Sequence, residues 1–283
     1  MIFRHSAKFF ALLALLLATA SYSALVSAGA EERWTALKPA FFGDRPISEE
    51  PGVISIEAPM RAHDAATVPI VVRSTDPGRR LVKVHLIADQ NPLPLAGVFK
   101  FSEEAGNWTS FETRIRIDQY THVRAIAELA DGSLHMASSF VKAAGGCSAP
   151  AMADLQAAIS NAGRMKVLLG EAAESETASS AEAIIKISHP NNSGMQFDQV
   201  SRNYIPAFYI DKIGAEVNGR PLLDVETNFS LSENPVIRLN FPADADHSEI
   251  TVFATDSKGN RYEQSANLDD GAVTLEAPTT TVQ

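Results

Sequence analysis

Cys147 is the only cysteine among 283 residues, and it stands in a run of small residues, Ala143-Ala144-Gly145-Gly146-Cys147-Ser148-Ala149-Pro150. A thiolate is a strong nucleophile and can hold a sulfur species covalently. Gly145 and Gly146 on its N-terminal side let the backbone flex and pass the thiol through a narrow opening, as a flexible arm would. No side chain in the run is large enough to cover the sulfur, so the pattern predicts an exposed, mobile linker. The nearest base in sequence is Lys142, and nothing close by would activate the thiol. A carrier needs no activation of its own, because its partner enzymes can supply it. Two readings compete with carriage: a disulfide between two copies of the chain, and an inert thiol. Inert thiols are usually buried. A glycine linker is a poor place for burial, so covalent attachment at Cys147 is the preferred reading.

The remaining chemistry-bearing residues do not assemble into a catalytic set. His85, His122, His135 and His189 are not spaced three or four apart on a helix, and none pairs with a carboxylate in a ligand motif. No metal and no cofactor is therefore expected, and His189-Pro190 reads as a strand terminus. Arg114 and Arg116 alternate with Ile115 and Ile117, which puts both arginines on one sheet face. A solvated face is the preferred reading there, ahead of a patch that attracts an anion. No phosphate-binding glycine loop and no paired carboxylates in an apolar context are present. One cysteine excludes a disulfide within the chain and a cysteine-based zinc site. The net charge of −10 argues against nucleic acid, which needs a supply of Lys and Arg. The chain reads as having no turnover of its own and as working by carrying or binding.

The elements that must position Cys147 are mostly strands. Val68–Val72, Leu81–Ile87, Val98–Phe101, Phe111–Ile117, Val123–Leu129 and Leu134–Val141 alternate or are β-branched. Asp76-Pro77-Gly78 and Asp131-Gly132 supply turns between them. That density of short strands fits an immunoglobulin-like sandwich. After the glycine pair, Met152–Ala162 has helical spacing and stops at Gly163. Met165–Leu169, Ala183–Ile187, an aromatic strand Tyr204–Ile210, Ile213–Val217, Val236–Phe241, Ile250–Ala254 and Asn260–Ser265 then form a second strand set. Asn218-Gly219 is its strongest hairpin signal. The fold class expected is all-β, with two immunoglobulin-like β-sandwich domains in tandem, packed side by side. The boundaries are 31–142 for the first sandwich, 143–163 for the linker and short helix, 164–270 for the second sandwich, and 271–283 for a tail.

Residues 1–30 do not read as fold. Arg4, His5 and Lys8 precede an apolar run from Phe9 to Ala20, and Ala28-Gly29-Ala30 is a small-x-small cleavage site. This is the pattern of an export signal, too short in its apolar run for a comfortable span. The expected location is the periplasm, with no membrane attachment after cleavage.

Taken in order, several short motifs resemble a known family. Asn91-Pro92-Leu93-Pro94 with Phe99 and Phe101, then Thr113-Arg114-Ile115-Arg116-Ile117, then Val123–Glu128, Asp131-Gly132 and Gly145-Gly146-Cys147 resemble the Y subunit of the SoxYZ sulfur carrier. Ile187-Ser188-His189-Pro190 with Ser193-Gly194, Ile205–Phe208, Val217-Asn218-Gly219 and Glu233-Asn234-Pro235 resemble the Z subunit. The layout is similar to the fused SoxYZ-like carriers associated with quinoprotein alcohol dehydrogenases. The resemblance implies two immunoglobulin-like sandwiches and an arm thiol, Cys147, that carries a sulfur substrate between enzymes, as in thiosulfate oxidation. It implies as partners periplasmic redox or sulfur-processing enzymes, a quinoprotein dehydrogenase among them. Ser148 and Ala149 stand where the family arm has trailing glycines, and a second domain follows. The arm here is a tethered loop that must enter a partner doubled back on itself.

Overall fold

A computed structural model describes residues 32–150, 154–171, 180–242 and 249–267. It divides the chain into two compact units, Met1–Arg45 and Pro46–Gln283. In the first, residues 32–42 form helix α1, whose chain turns out at Gly43 with φ 60°. Trp34 meets Phe42 across the helix at 6.4 Å between ring centroids. The export-signal region, 1–30, and the tail, 271–283, lie outside the described residues. No helix among the described residues is long and apolar enough to cross a membrane.

The second unit is all-β and carries both strand sets. Strands β1 (Ile47–Ser48), β2 (Ile54–Glu57), β3 (Val68–Ser74), β4 (Leu81–Ala88), β5 (Leu95–Phe101), β6 (Ser110–Ile115), β7 (Thr121–Leu129) and β8 (Leu134–Val141) belong to the first half. Helix α2 (Leu155–Ser160) follows, capped at its N-terminus by the Asp154 side chain, which accepts from the Ala157 amide. The second half holds β9 (Met165–Glu171), β10 (Ser180–Ile187), β11 (Phe197–Asp198), β12 (Asn203–Tyr204), β13 (Ile210–Val217), β14 (Arg220–Thr227), β15 (Val236–Pro242), β16 (Glu249–Asp256) and β17 (Arg261–Asn267). Apolar residues alternate inward as the sequence pattern requires: in β13 every second residue, from Ile213 through Ala215 to Val217, is buried. The Asn218-Gly219 turn takes positive φ at both residues, 49° and 73°, which suits a two-residue hairpin.

The immunoglobulin-like sandwiches are joined more closely than side-by-side packing. One sheet runs β1-β8-β7-β4-β5-β14-β13-β16-β17 and the other β2-β3-β6-β15-β10-β9. In the first, β5 pairs antiparallel with β14, from Gly97↔Thr227 to Phe101↔Leu223. In the second, β6 pairs with β15, from Ser110↔Asn240 to Glu112↔Arg238. The all-β class with immunoglobulin-like sandwiches is as expected, and the side-by-side packing is corrected: both sheets cross from one half into the other through backbone ladders. The physical reason is that an unpaired strand edge leaves a row of donors and acceptors open, and each half closes an edge of the other. The core is continuous too. Phe99 stacks on Phe111 at 4.4 Å and Phe101 on Trp108 at 4.4 Å, in one buried cluster that also holds Leu239 and Val225.

Two local expectations change. The aromatic stretch Tyr204–Ile210 is not one strand. Asn203 and Tyr204 pair with Phe197 and Asp198 in a small hairpin, Phe208 makes a single bridge to Asn192, and a full strand starts only at Ile210. Pro206 lies between and has no N–H to give a ladder. Strand β6 ends at Ile115, two residues short of the predicted end, and that early end sets up the site.

Candidate functional site

Past Ile115 the chain leaves the β3 ladder, and its polar groups find other partners. The Arg116 amide donates to the Ser230 carbonyl at 2.7 Å, and the Ile117 amide to the Ala65 carbonyl at 2.8 Å. Asn91 clamps the same stretch from both sides: its Nδ2 donates to the Arg116 carbonyl at 2.7 Å, and its Oδ1 accepts from the Asp118 amide at 2.9 Å. This holds the carbonyls of Ile117 and Asp118 in place as acceptors.

The Gly145–Cys147 segment docks there. The Gly145 amide donates to the Asp118 carbonyl at 2.8 Å and the Gly146 amide to the Ile117 carbonyl at 2.9 Å. From the second half, the Ser193 hydroxyl donates to the Cys147 carbonyl, and Gln196 Nε2 donates to the Ala149 carbonyl at 3.1 Å. Gln196 is itself set by accepting from the Ser193 amide at 3.1 Å through Oε1. Cys147 is 0% exposed. The predicted exposed, mobile linker is therefore corrected: in this state the segment is docked and its thiol buried. Backbone hydrogen bonds, and side chains from distant parts of the chain, do what the small residues of the run cannot.

The two glycines have different jobs in the docked state. Gly145 has φ +79°, a left-handed conformation that other residues adopt at a cost, and a Cβ there would meet nothing within 4 Å. A Cβ on Gly146 would lie 2.0 Å from the Ala65 carbonyl oxygen and 2.7 Å from that of Ile117. Only hydrogen fits between those two carbonyls.

Arg116 joins the arm to both halves. Its Nη1 donates to the Gly146 carbonyl at 3.1 Å and its Nη2 to the Asn191 carbonyl at 3.3 Å. The residue is 1% exposed, so the solvated-face reading holds for exposed Arg114 and fails for Arg116. Because β6 has ended at Ile115, Arg116 no longer follows the alternation that would have turned it outward. Burial lowers its pKa from the usual arginine value, against the opposing pull of Cys147, Glu233 and Asp64. The Cys147 thiol is pushed up to about 12 by burial and by the nearby Asp118 carboxylate, with Arg116 pulling the other way. Burial and the raised pKa together favour the neutral thiol in the docked segment.

Asn191 is the second-half counterpart of Asn91. It sits at φ 47°, a conformation Asn tolerates better than most residues. Its Nδ2 donates to the Leu231 carbonyl at 3.0 Å, and its Oδ1 accepts from the Ile210 amide at 2.8 Å. Its amide donates to His189 Nδ1 at 3.1 Å, which requires an unprotonated nitrogen there. Burial lowers the His189 pKa to about 4, although Asp256 opposes that shift. Burial also works against the charge of Asp256. Hydrogen bonds from Tyr262 at 2.6 Å and Asn260 at 2.8 Å nevertheless hold its carboxyl below the usual range. His189 thus ends β10 as expected and braces the turn that holds Arg116. Among the described residues no group of His, Cys, Asp and Glu is placed to hold a metal ion.

The sequence singled out Cys147, Gly145 and Gly146, which the fold brings together with Arg116. It had no means of finding Asn91, Ser193 and Gln196 as the arm's dock. Asn91 and Ser193 stood in motifs that resemble the family, Asn91-Pro92-Leu93-Pro94 and Ser193-Gly194, but nothing local marked them as contacts of the arm.

Comparison with known proteins is in keeping with this arrangement. Residues 38–147 match the family model of the sulfur oxidation protein SoxY, and residues 170–267 match that of the sulphur oxidation protein SoxZ. The first match ends on Cys147. Among solved structures, the sulfur carrier protein SoxY from Chlorobium limicola f thiosulfatophilum aligns at 24% identity over 41% of this chain and 96% of that one, with a TM-score of 0.35. A putative membrane anchored protein from Corynebacterium diphtheriae aligns at 9% identity over 81% of this chain and 60% of that one, with a TM-score of 0.26. No curated protein matches. With the two family models in tandem across most of its length, the chain belongs to the SoxY and SoxZ families and is a fused SoxYZ-like sulfur carrier.

Proposed function

We propose that the protein carries a sulfur-containing adduct covalently on Cys147 and presents it to partner enzymes in the periplasm. The observation that carries this reading is the arm itself: a single thiol at the end of the SoxY match, held by reversible hydrogen bonds on a discrete dock. None of those bonds is a metal ligand or a disulfide, so the arm can leave without chemistry. Carriage then requires two positions, docked with the thiol buried and undocked with it presented. Its partners are sulfur-processing enzymes, in line with the family. The export signal in residues 1–30 supports the location.

Burial of the sulfur supports a second reading, in which the chain is a non-covalent accessory subunit of a periplasmic quinoprotein (PQQ) alcohol dehydrogenase system and Cys147 is a packing residue. A Cys147-linked dimer is a third, and it too would require undocking first. Intact mass of protein isolated from its native host separates them. An adduct on the Cys147 peptide supports carriage, a bare thiol in every growth condition opposes it, and a doubled mass that reduction halves supports the dimer. Complementation of a deletion strain with Cys147→Ala at matched protein level adds the functional test: carriage predicts no rescue, and the accessory reading predicts full rescue.

A further inference from the structure

A cation buried beside an uncharged thiol is out of balance. Arg116 is 1% exposed and makes no ion pair among the described residues, and its Nε has no hydrogen-bond partner among them. Burying a guanidinium without a direct counter-charge is costly. Of the charged side chains, Glu233 and Asp64 favour its charge without forming an ion pair with it. The site is also built to keep the guanidinium in place when the arm is elsewhere. Its amide is held by Ser230, its carbonyl by Asn91, and its Nη2 by the Asn191 carbonyl. Only Nη1 depends on the arm, through Gly146.

We propose that Arg116 is the anion anchor of the arm, a fixed cation that holds the negatively charged end of a group carried on Cys147. This rests on the reading that Cys147 is a carrier thiol. The Cys147 sulfur has no exposed surface, so an added group takes space that only a shift of the arm provides. That shift frees Nη1 from the Gly146 carbonyl and adds a second donor to the unpartnered Nε. Together they suit the oxygens of a sulfonate or the terminal sulfur of a perthiolate, both anions that a guanidinium binds through charge-assisted hydrogen bonds. A neutral group of similar size gains nothing from them. Arg116 thereby acts as a positioning and selectivity residue, favouring anionic cargo.

The test compares two defined adducts on the full chain. Tetrathionate loads an anionic group: the Cys147 thiolate attacks an inner sulfur, forming Cys147–S–S–SO3⁻, and thiosulfate leaves while the thiol proton goes to solvent. Bis(2-hydroxyethyl) disulfide loads a neutral one by exchange, releasing 2-mercaptoethanol. Both are driven to completion and verified by mass. The wild type is expected to melt several degrees higher with the anionic adduct than with the neutral one. Arg116→Gln is expected to abolish that difference and Arg116→Lys to retain part of it. A merely structural arginine would lower both melting temperatures together and leave the difference intact, which would overturn the proposal. Equal melting of the two adducts in the wild type overturns it as well, even if neither variant folds. Because the adducts are made chemically, the result does not depend on what the native protein carries. A native adduct with no Arg116 dependence sinks the anchor alone. An Arg116-dependent difference with no native adduct sinks the carrier reading alone.

Discussion

Cys147 shows how far residue type reaches and where it stops. That a lone thiol after two glycines could carry a group was legible from the sequence. That it is buried was not, because the groups that hold it in place come from residues about 30 to 55 positions away in either direction, including Asn91, Arg116, Ser193 and Gln196. The prediction at this scale concerns reactivity and its pH dependence. The docked thiol titrates near 12, above the value of 9.0 for an ordinary thiol. A raised folded pKa means that docking is fully supported below pH 9 and weakens as pH rises toward 12, because the undocked form ionises first. Each unit in that window shifts the balance toward undocking about tenfold. A thiol reagent should label native Cys147 at least about 100-fold more slowly than the urea-unfolded chain at pH 8, the size expected if local opening costs about 3 kcal/mol. The native rate should keep climbing past pH 9, where the unfolded rate levels off. Equal rates, or a native profile that levels at pH 9, would show that the arm is not held.

At the scale of the element, the arm is a turn held against residues 117–118 by two backbone hydrogen bonds, and Gly146 is its point of closest approach. Gly146→Ala places a methyl group into two backbone carbonyls that cannot step aside cheaply. The expected result is release of the arm rather than collapse of the fold, since the sandwich ladders do not pass through it. Labelling of Cys147 should rise at least tenfold, and the melting temperature should fall by only a few degrees. Gly145→Ala should be milder, costing about 1 kcal/mol for the left-handed backbone with no steric clash. If Gly146→Ala labels no faster than wild type, the dock is not the arm's resting place. The same scale explains what the strand pattern could and could not tell. The alternation in Leu81–Ile87 and the Asn218-Gly219 turn read directly, because both are set by neighbours in sequence. The end of β6 at Ile115 did not, because Arg116 and Ile117 continue the alternation while their hydrogen bonds go to Ser230 and Ala65.

For the whole molecule, the pairing of β5 with β14 and of β6 with β15 ties the two halves into common sheets. No local pattern announces this, since a strand's own residues do not say which edge it will meet. The consequence is cooperative. Phe99 lies in β5, is fully buried, and stacks on Phe111 of β6, the two strands that form the first half's side of both junctions. Phe99→Ala should cost about 3–5 kcal/mol, the range for deleting a buried aromatic ring. In a chain of two independent sandwiches that loss would stay in the first half. Here it should lower amide protection in β13 and β14 of the second half as much as in β4 and β7, measured by native-state hydrogen exchange. Thermal unfolding of residues 46 onward should likewise be a single transition, with calorimetric and van't Hoff enthalpies equal. Separate transitions, with β13 and β14 still protected in Phe99→Ala, would mean that the shared ladders join the halves without coupling them. Coupling matters for carriage, because the dock draws Asn91 and Arg116 from one half and Ser193 and Gln196 from the other. Only halves that hold a fixed relation can keep Arg116, Ser193 and Gln196 at hydrogen-bonding distance from one arm, on the stretch that Asn91 clamps.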